Sequence, residues 1–307
     1  MIRLGYACIN TELSANNIRT GRTMTAKKFE AGGLKIASEI ALANAHDLIK
    51  ILRWNEKNGI RLFRIGSELF PRWDCYSLES LPDFDAISAS LFKAGEFARE
   101  HGHRLTTHPG PFHILGSPKQ DVVDKTIIGL ERHSQLFDLM GFEPSFQNKI
   151  NIHIGATYGD KDTTITRWLA NYELLSDNLK RRLVIENDDK ASMYSVKDLY
   201  DMVHTKIGIP ITFDYYHHIF NTGGLSEQEA FQLARTTWVK HNITQCTHYS
   251  ESRRLEFNDM TIKEQAHSDM VYNIPSTYGA DDVDIVIEAK HKEKSIIKFQ
   301  KELLLVA

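Results

Sequence analysis

Residues 209–218 read "IPITFDYYHH". An apolar run with strand character, Ile211 to Phe213, ends in an acid, two tyrosines and two histidines. A segment patterned for burial thus delivers Asp214, His217 and His218 to one spot, and a buried acid or imidazole is costly unless something pairs with it. A local salt bridge meets that cost; so does a bound cation. The stretch alone does not choose between them, but its form recurs. "IRLGYACI" (2–9), "GIRLFRIGS" (59–67), "HRLTTHPG" (103–110), "KINIHIGA" (149–156), "RRLVIENDD" (181–189), "NITQCTHYS" (242–250) and "DVDIVIEAK" (282–290) are further short runs rich in Ile, Val, Leu and Thr, each closing on polar residues or Gly.

Helical periodicity fills the intervals. Apolar residues recur at helical spacing over 37–59, 84–102 and 121–141, and each of these segments stops on a glycine. Segments 164–179, 195–208, 226–242 and, more weakly, 261–273 continue the alternation, and a last helix is expected over 294–306. Helical crossovers make neighbouring strands parallel and bury them on both faces. Eight such units in 307 residues predict a single (β/α)8 TIM barrel spanning 1–307. The competing architecture is an open doubly wound sheet. No Gly-rich dinucleotide fingerprint follows the first strand to favour it. The long 67–83 connection, with Trp73, Tyr76 and Pro82, is a candidate to contact substrate over the barrel mouth.

Composition sets the class. With 42% hydrophobic and 25% charged residues the chain can bury a large core, and its net charge of −3 does not advertise nucleic acid or an anionic membrane. Three cysteines without a CxxC pair suit a reducing compartment. The opening "MIRLGYACIN" lacks the long apolar region of a signal peptide, and no run of about 18 apolar residues predicts a membrane span. The expectation is an intracellular, cytoplasmic protein with no membrane partner.

In a barrel the C-terminal strand ends converge on one face, where active sites form. The polar residues at those ends are His108, His153, Glu186, Asp214, His217, His248 and Glu288. Imidazole with carboxylate is a ligand set for zinc, manganese and iron. So many acids and imidazoles in one poorly solvated mouth conflict unless divalent cations join them. Taken singly, each has an ordinary alternative: Glu186 could cap a helix near Ser195, and Glu288 could pair with Lys290 or Lys292. Of His217 and His218, an extended stretch points one inward and the other away. Tyr6 ends the first strand and would overlook the same mouth. His46, His133, His204 and His241, late in helices, read as surface residues near a favourable helix dipole.

The ordered motifs "LGYACIN", "FRIGSELFP", "THPG", "IHIG", "LVIENDD", "FDYYHH" and "VIEAK" resemble the ultraviolet damage endonuclease family, from about residue 1 to 294. The resemblance implies an enzyme that cuts a DNA phosphodiester immediately 5′ of a lesion, using about three divalent metals, manganese foremost with zinc and magnesium as alternatives. It implies metal ligation by His108, His153, Glu186, Asp214, His217, His248 and Glu288, adds His267, and places Glu186, Glu288, His248 and Asp214 at the chemistry. It also implies damaged double-stranded DNA as the partner, with Tyr6 and Asn10 near it, and no obligate protein partner. Two departures stand out. The family's usual Gln-Tyr pair after "HPG", which probes the lesion, is here Pro111-Phe112. Its lysine two residues before the histidine of the seventh strand is here Cys246. A different class of metal-bearing barrel, the sugar isomerases and epimerases, remains the alternative, and a catalytically silent DNA- or protein-binding relic of the fold is a third. "KRR" (180–182), Arg253, Arg254, Lys290, Lys292 and Lys294 are candidates for phosphate contact, though charge runs are often simply solvated.

Overall fold

Each apolar run forms a strand at its expected place. The computed structural model describes residues 2–306, with strands β1 (Ile2–Ala7), β2 (Leu62–Ile65), β3 (Arg104–Thr107), β4 (Ile150–His153), β5 (Leu183–Glu186), β6 (Ile211–Thr212), β7 (Cys246–Tyr249) and β8 (Val283–Ile287). All pair in parallel in the order β6-β5-β4-β3-β2-β1-β8-β7, and a lone bridge between Asp214 and His248 links β6 to β7. The result is a (β/α)8 barrel rather than an open sheet. The helices are α1 (Thr11–Ala15), α2 (Ala26–Lys57), α3 (Phe84–Glu100), α4 (Gln120–Leu139), α5 (Lys161–Tyr172), α6 (Asp177–Lys180), α7 (Val196–Leu199), α8 (Thr205–Ile207), α9 (Tyr215–Phe220), α10 (Glu227–Val239), α11 (Arg253–Glu256) and α12 (Glu293–Val306). A π-helical turn, Tyr200–His204, joins α7 to α8. Gly102 and Gly141 adopt the left-handed conformation just past α3 and α4, which is why those helices stop there.

The segment 261–273 is not helical, contrary to its weak periodicity. Several of its backbone donors are taken by carboxylates instead. Glu256 accepts from the amides of Asp269 and Met270, and Glu251 from those of Tyr272 and Asn273. Among the described residues no helix is long and apolar enough to cross a membrane.

Strand alternation decides what enters the lumen. Ala7, Leu62, Val184, Cys246 and Val286 cluster there. The same parity brings in Thr106, Lys149, Asn151 and Thr212, all buried, and then the polar strand ends above them. The opposite face of each strand packs its Ile, Leu and Phe against the helices. At the N-terminal end of the barrel the fully buried Arg104 bonds Asp284 at 2.8 Å and the carbonyls of Thr244 and Gln147 at 2.7 and 2.9 Å. Arg3 holds the other Asp284 oxygen. That paired plug leaves the C-terminal face as the open one.

Candidate metal centre

Glu186 stands at the middle of the mouth, 1% exposed. Register sets its company: His153 on β4 pairs directly with it. Its Oε2 lies 3.0 Å from Nε2 of His108, and its Oε1 lies 3.1 Å from Nδ1 of His248 and 3.7 Å from Nδ1 of His217. Asn151 donates a further bond to Oε2. Glu288 extends the cluster from β8, with Oε1 3.2 Å from Nδ1 of His248, and Arg64 on β2 pairs with the same oxygen.

The stretch at 209–218 folds differently from its extended reading. The strand is two residues long, and Asp214 caps α9 by accepting from the amide of His217. His217 therefore reaches the mouth from the first turn of a helix, not by strand alternation. His218 lies on another face of that helix, buried beside Phe213.

Electrostatics divides the histidines. Burial holds His108 below its ordinary range and His248 down to about 3, so both rings are neutral with a nitrogen lone pair to offer. Burial also pushes on His153 and His217, but there it loses. The Glu186 charge, with Asp188, lifts His153 to about 10; Asp214 and Glu186 lift His217 to about 8. Burial raises Asp214, against the pull of His217 and with the push of Glu186 and Glu288. Glu186 stays ionised, because the surrounding histidines outweigh its burial.

Three groupings bring ligand atoms within 4.8 Å of one another: His108, Glu186 and His248; His153, Glu186 and His217; and Asp214, His248 and Glu288. Glu186 belongs to two of them and so does His248. Asp214 Oδ2 is buried with no hydrogen-bond partner, which is costly for a carboxylate and fits a cation site. The donor set fits divalent metal. His267 sits beside the centre, its Nδ1 3.5 Å from Oε2 of Glu288, outside the three groupings.

Other expectations are corrected. Tyr6 faces outward from β1, because Ala7 has the inward parity. It is fully buried against α2, donating to Asn55 and receiving a bond from Asn10. Asn10, 1% exposed, caps α1. Neither presents a surface to DNA. Arg182 is likewise buried, held by Ser134, Asp138 and the carbonyl of Phe142. Of the helix histidines, His133 and His204 are buried rather than on the surface. Pro111 and Phe112 are exposed, Phe112 at 85%. Pro111, but not Phe112, lines a cleft of about 340 Å³ that runs from Pro109 and Ile114 past Lys190 and Met193 to His153 and His217. Cys246 is buried in the lumen.

Sequence reasoning missed Arg64, Asp188, Asn151 and Lys149. The pattern "KINIHIG" carried a signal for two of them, since polar residues at 149, 151 and 153 alternate with isoleucine and must share the inner face with His153.

Comparison with known proteins agrees across the whole chain. The profile of the family described as UV-endonuclease UvdE matches residues 2–306. A UV-damage endonuclease of Schizosaccharomyces pombe is 35% identical over 96% of the chain, which spans about half (50%) of that relative's length. A UV DNA damage endonuclease of Clostridium perfringens is 34% identical, over 97% of this chain and 69% of its own. The crystal structure of SacUVDE superposes with a TM-score of 0.85 at 31% identity, covering 99% of both chains.

Proposed function

The chain belongs to the UV-endonuclease UvdE family, and we propose that it is a metal-dependent DNA repair endonuclease that hydrolyses the phosphodiester 5′ of a damaged nucleotide. The observation that carries this reading is the buried Glu186 carboxylate shared between two ligand groupings. His108, His153, Glu186, Asp214, His217, His248 and Glu288 hold about three divalent cations, manganese foremost, with His267 at the edge. When bound, such ions activate a water, bind the phosphoryl oxygens and stabilise the leaving alkoxide.

The chain's own groups do the rest. Glu186 and Glu288 supply negative charge that keeps cations in place, and neutral His108 and His248 add nitrogen donors without further charge. Arg64, partly buried beside Glu288, contributes a fixed positive charge at the mouth, where a phosphate arrives. In the reaction, a water oxygen bonds to phosphorus, the bond from phosphorus to the 3′ oxygen breaks, and that oxygen takes a proton. Phe112, exposed next to the cleft-lining Pro111, inserts at a weakened base step. The substrate is damaged double-stranded DNA, met inside the cell, without a membrane or an obligate protein partner.

Family membership sets the sugar isomerase reading aside. The deciding experiment uses a defined duplex carrying one photoproduct or one abasic site, with manganese present and then with a chelator. Nicking on the 5′ side of the lesion, abolished by the chelator, is expected. A protein that holds manganese but leaves every such duplex intact sinks the reading.

A further inference from the structure

We propose that Lys149 is a positioning residue of the metal centre, its amine setting the ring of His248 directly and the carboxylate of Glu186 through Asn151. This rests on the metal-centre reading given above.

Lys149 enters the lumen from the N-terminal edge of β4 and is fully buried. Its Nζ lies 2.8 Å from Oγ1 of Thr212, 3.1 Å from Nε2 of His248 and 3.2 Å from Oδ1 of Asn151. An amine with three partners in a closed space is held, not flexible. Burying it is costly, and barrel lumens are ordinarily filled by Val, Ile and Leu. This lumen does so at Val184 and Val286, yet between them and the mouth it places a lysine.

Both routes from Nζ end on the same acid. Asn151, its carbonyl oxygen fixed by Lys149, turns its amide toward Oε2 of Glu186. His248, its Nε2 engaged by Lys149, leaves Nδ1 to face Oε1 of Glu186 and Oε1 of Glu288. Lys149 thus fixes which ring nitrogen faces the mouth. Outer partners of this kind set ring orientation and tune affinity. A lysine serving the fold alone has no need to converge on one carboxylate by two paths.

The test compares the parent with Lys149→Met, which deletes the amine, and Lys149→Gln, which keeps an amide in its place. Free Mn2+ is counted by electron paramagnetic resonance during titration, without DNA, and metal-free folding is followed by circular dichroism. Lys149→Met is expected to bind Mn2+ at least about tenfold more weakly, with Lys149→Gln in between and all three spectra alike. Equal Mn2+ affinity in the three folded proteins overturns the proposal. If Lys149→Met does not fold, Lys149→Gln decides alone: weaker binding supports the role, and parental affinity overturns it. A parent that binds no Mn2+ overturns the metal-centre reading itself, and this inference with it.

Discussion

Asp188 stands behind His153 as an ion pair: its Oδ1 lies 3.2 Å from Nδ1 of the ring, whose Nε2 faces Glu186 at 3.9 Å. The backbone amide of Tyr194 in turn donates to Asp188. A carboxylate on the far nitrogen of a ligating imidazole fixes its orientation and raises its basicity. Asp188→Asn is expected to lower metal affinity by about ten- to a hundredfold with the fold retained, as read by Mn2+ titration. Unchanged affinity would show that Asp188 serves only its own loop.

Glu186→Gln and Glu288→Gln each remove a charged donor from the mouth. Each is expected to slow cleavage by at least about a hundredfold in single-turnover assays. Glu186→Gln should also bind less metal, since Glu186 belongs to two ligand groupings and Glu288 to one. Parental rates in both variants would make these acids structural.

The metal-free protein should lose stability as pH rises. In the fold His153 sits at about 10 and His217 at about 8, above the ordinary 6.5. A base raised on folding contributes stability that is complete below its unfolded value and is lost as pH climbs through the folded value. The loss attributable to these rings thus falls between about pH 6.5 and pH 10. Melting with a chelator present should show the decline, and saturating Mn2+ should reduce it, because ligation takes the place of the proton. A chelated protein whose melting temperature is flat across that window, in parallel with a His153→Gln variant, contradicts it.

The site was legible where an apolar run ends in a ligand. His108, His153, Glu186, His248 and Glu288 each close such a run, so strand periodicity alone brought them to one face. His217 was found for a reason only half right, because a helix, not an extended strand, presents it. Tyr6 was misplaced by one step of alternation: Ala7 turns inward and sends the tyrosine to α2. Arg64 and Asp188 were invisible because a lone charge near a strand end has many ordinary explanations, and only distance to a partner separates them. His267 carried no periodic signal, since it lies in a segment held by Glu251 and Glu256 rather than by its own backbone.

Phe112, 85% exposed and next in the chain to the cleft-lining Pro111, offers an aromatic face to solvent on which a base can stack. Stacking a base on an aromatic side chain is worth roughly 1–3 kcal/mol. Phe112→Ala should therefore weaken binding to a damaged duplex by about tenfold or more, while binding to undamaged DNA of the same sequence changes less. Equal affinities for damaged DNA, with normal melting, would remove Phe112 from lesion sensing.

The ring of strands is closed between β6 and β7 by a single rung, and that rung is Asp214 with His248, reinforced where the His248 amide donates to the Phe213 carbonyl at 2.9 Å. That rung is made of two of the residues that would grip the ions. A cation there is a rivet as well as a reagent: it would fasten the hoop at a one-rung join. Slowed hydrogen exchange at the His248 amide on adding Mn2+, with little change at β1 or β8, would register that fastening, and equal exchange with and without the ion would leave the hoop closed by protein alone.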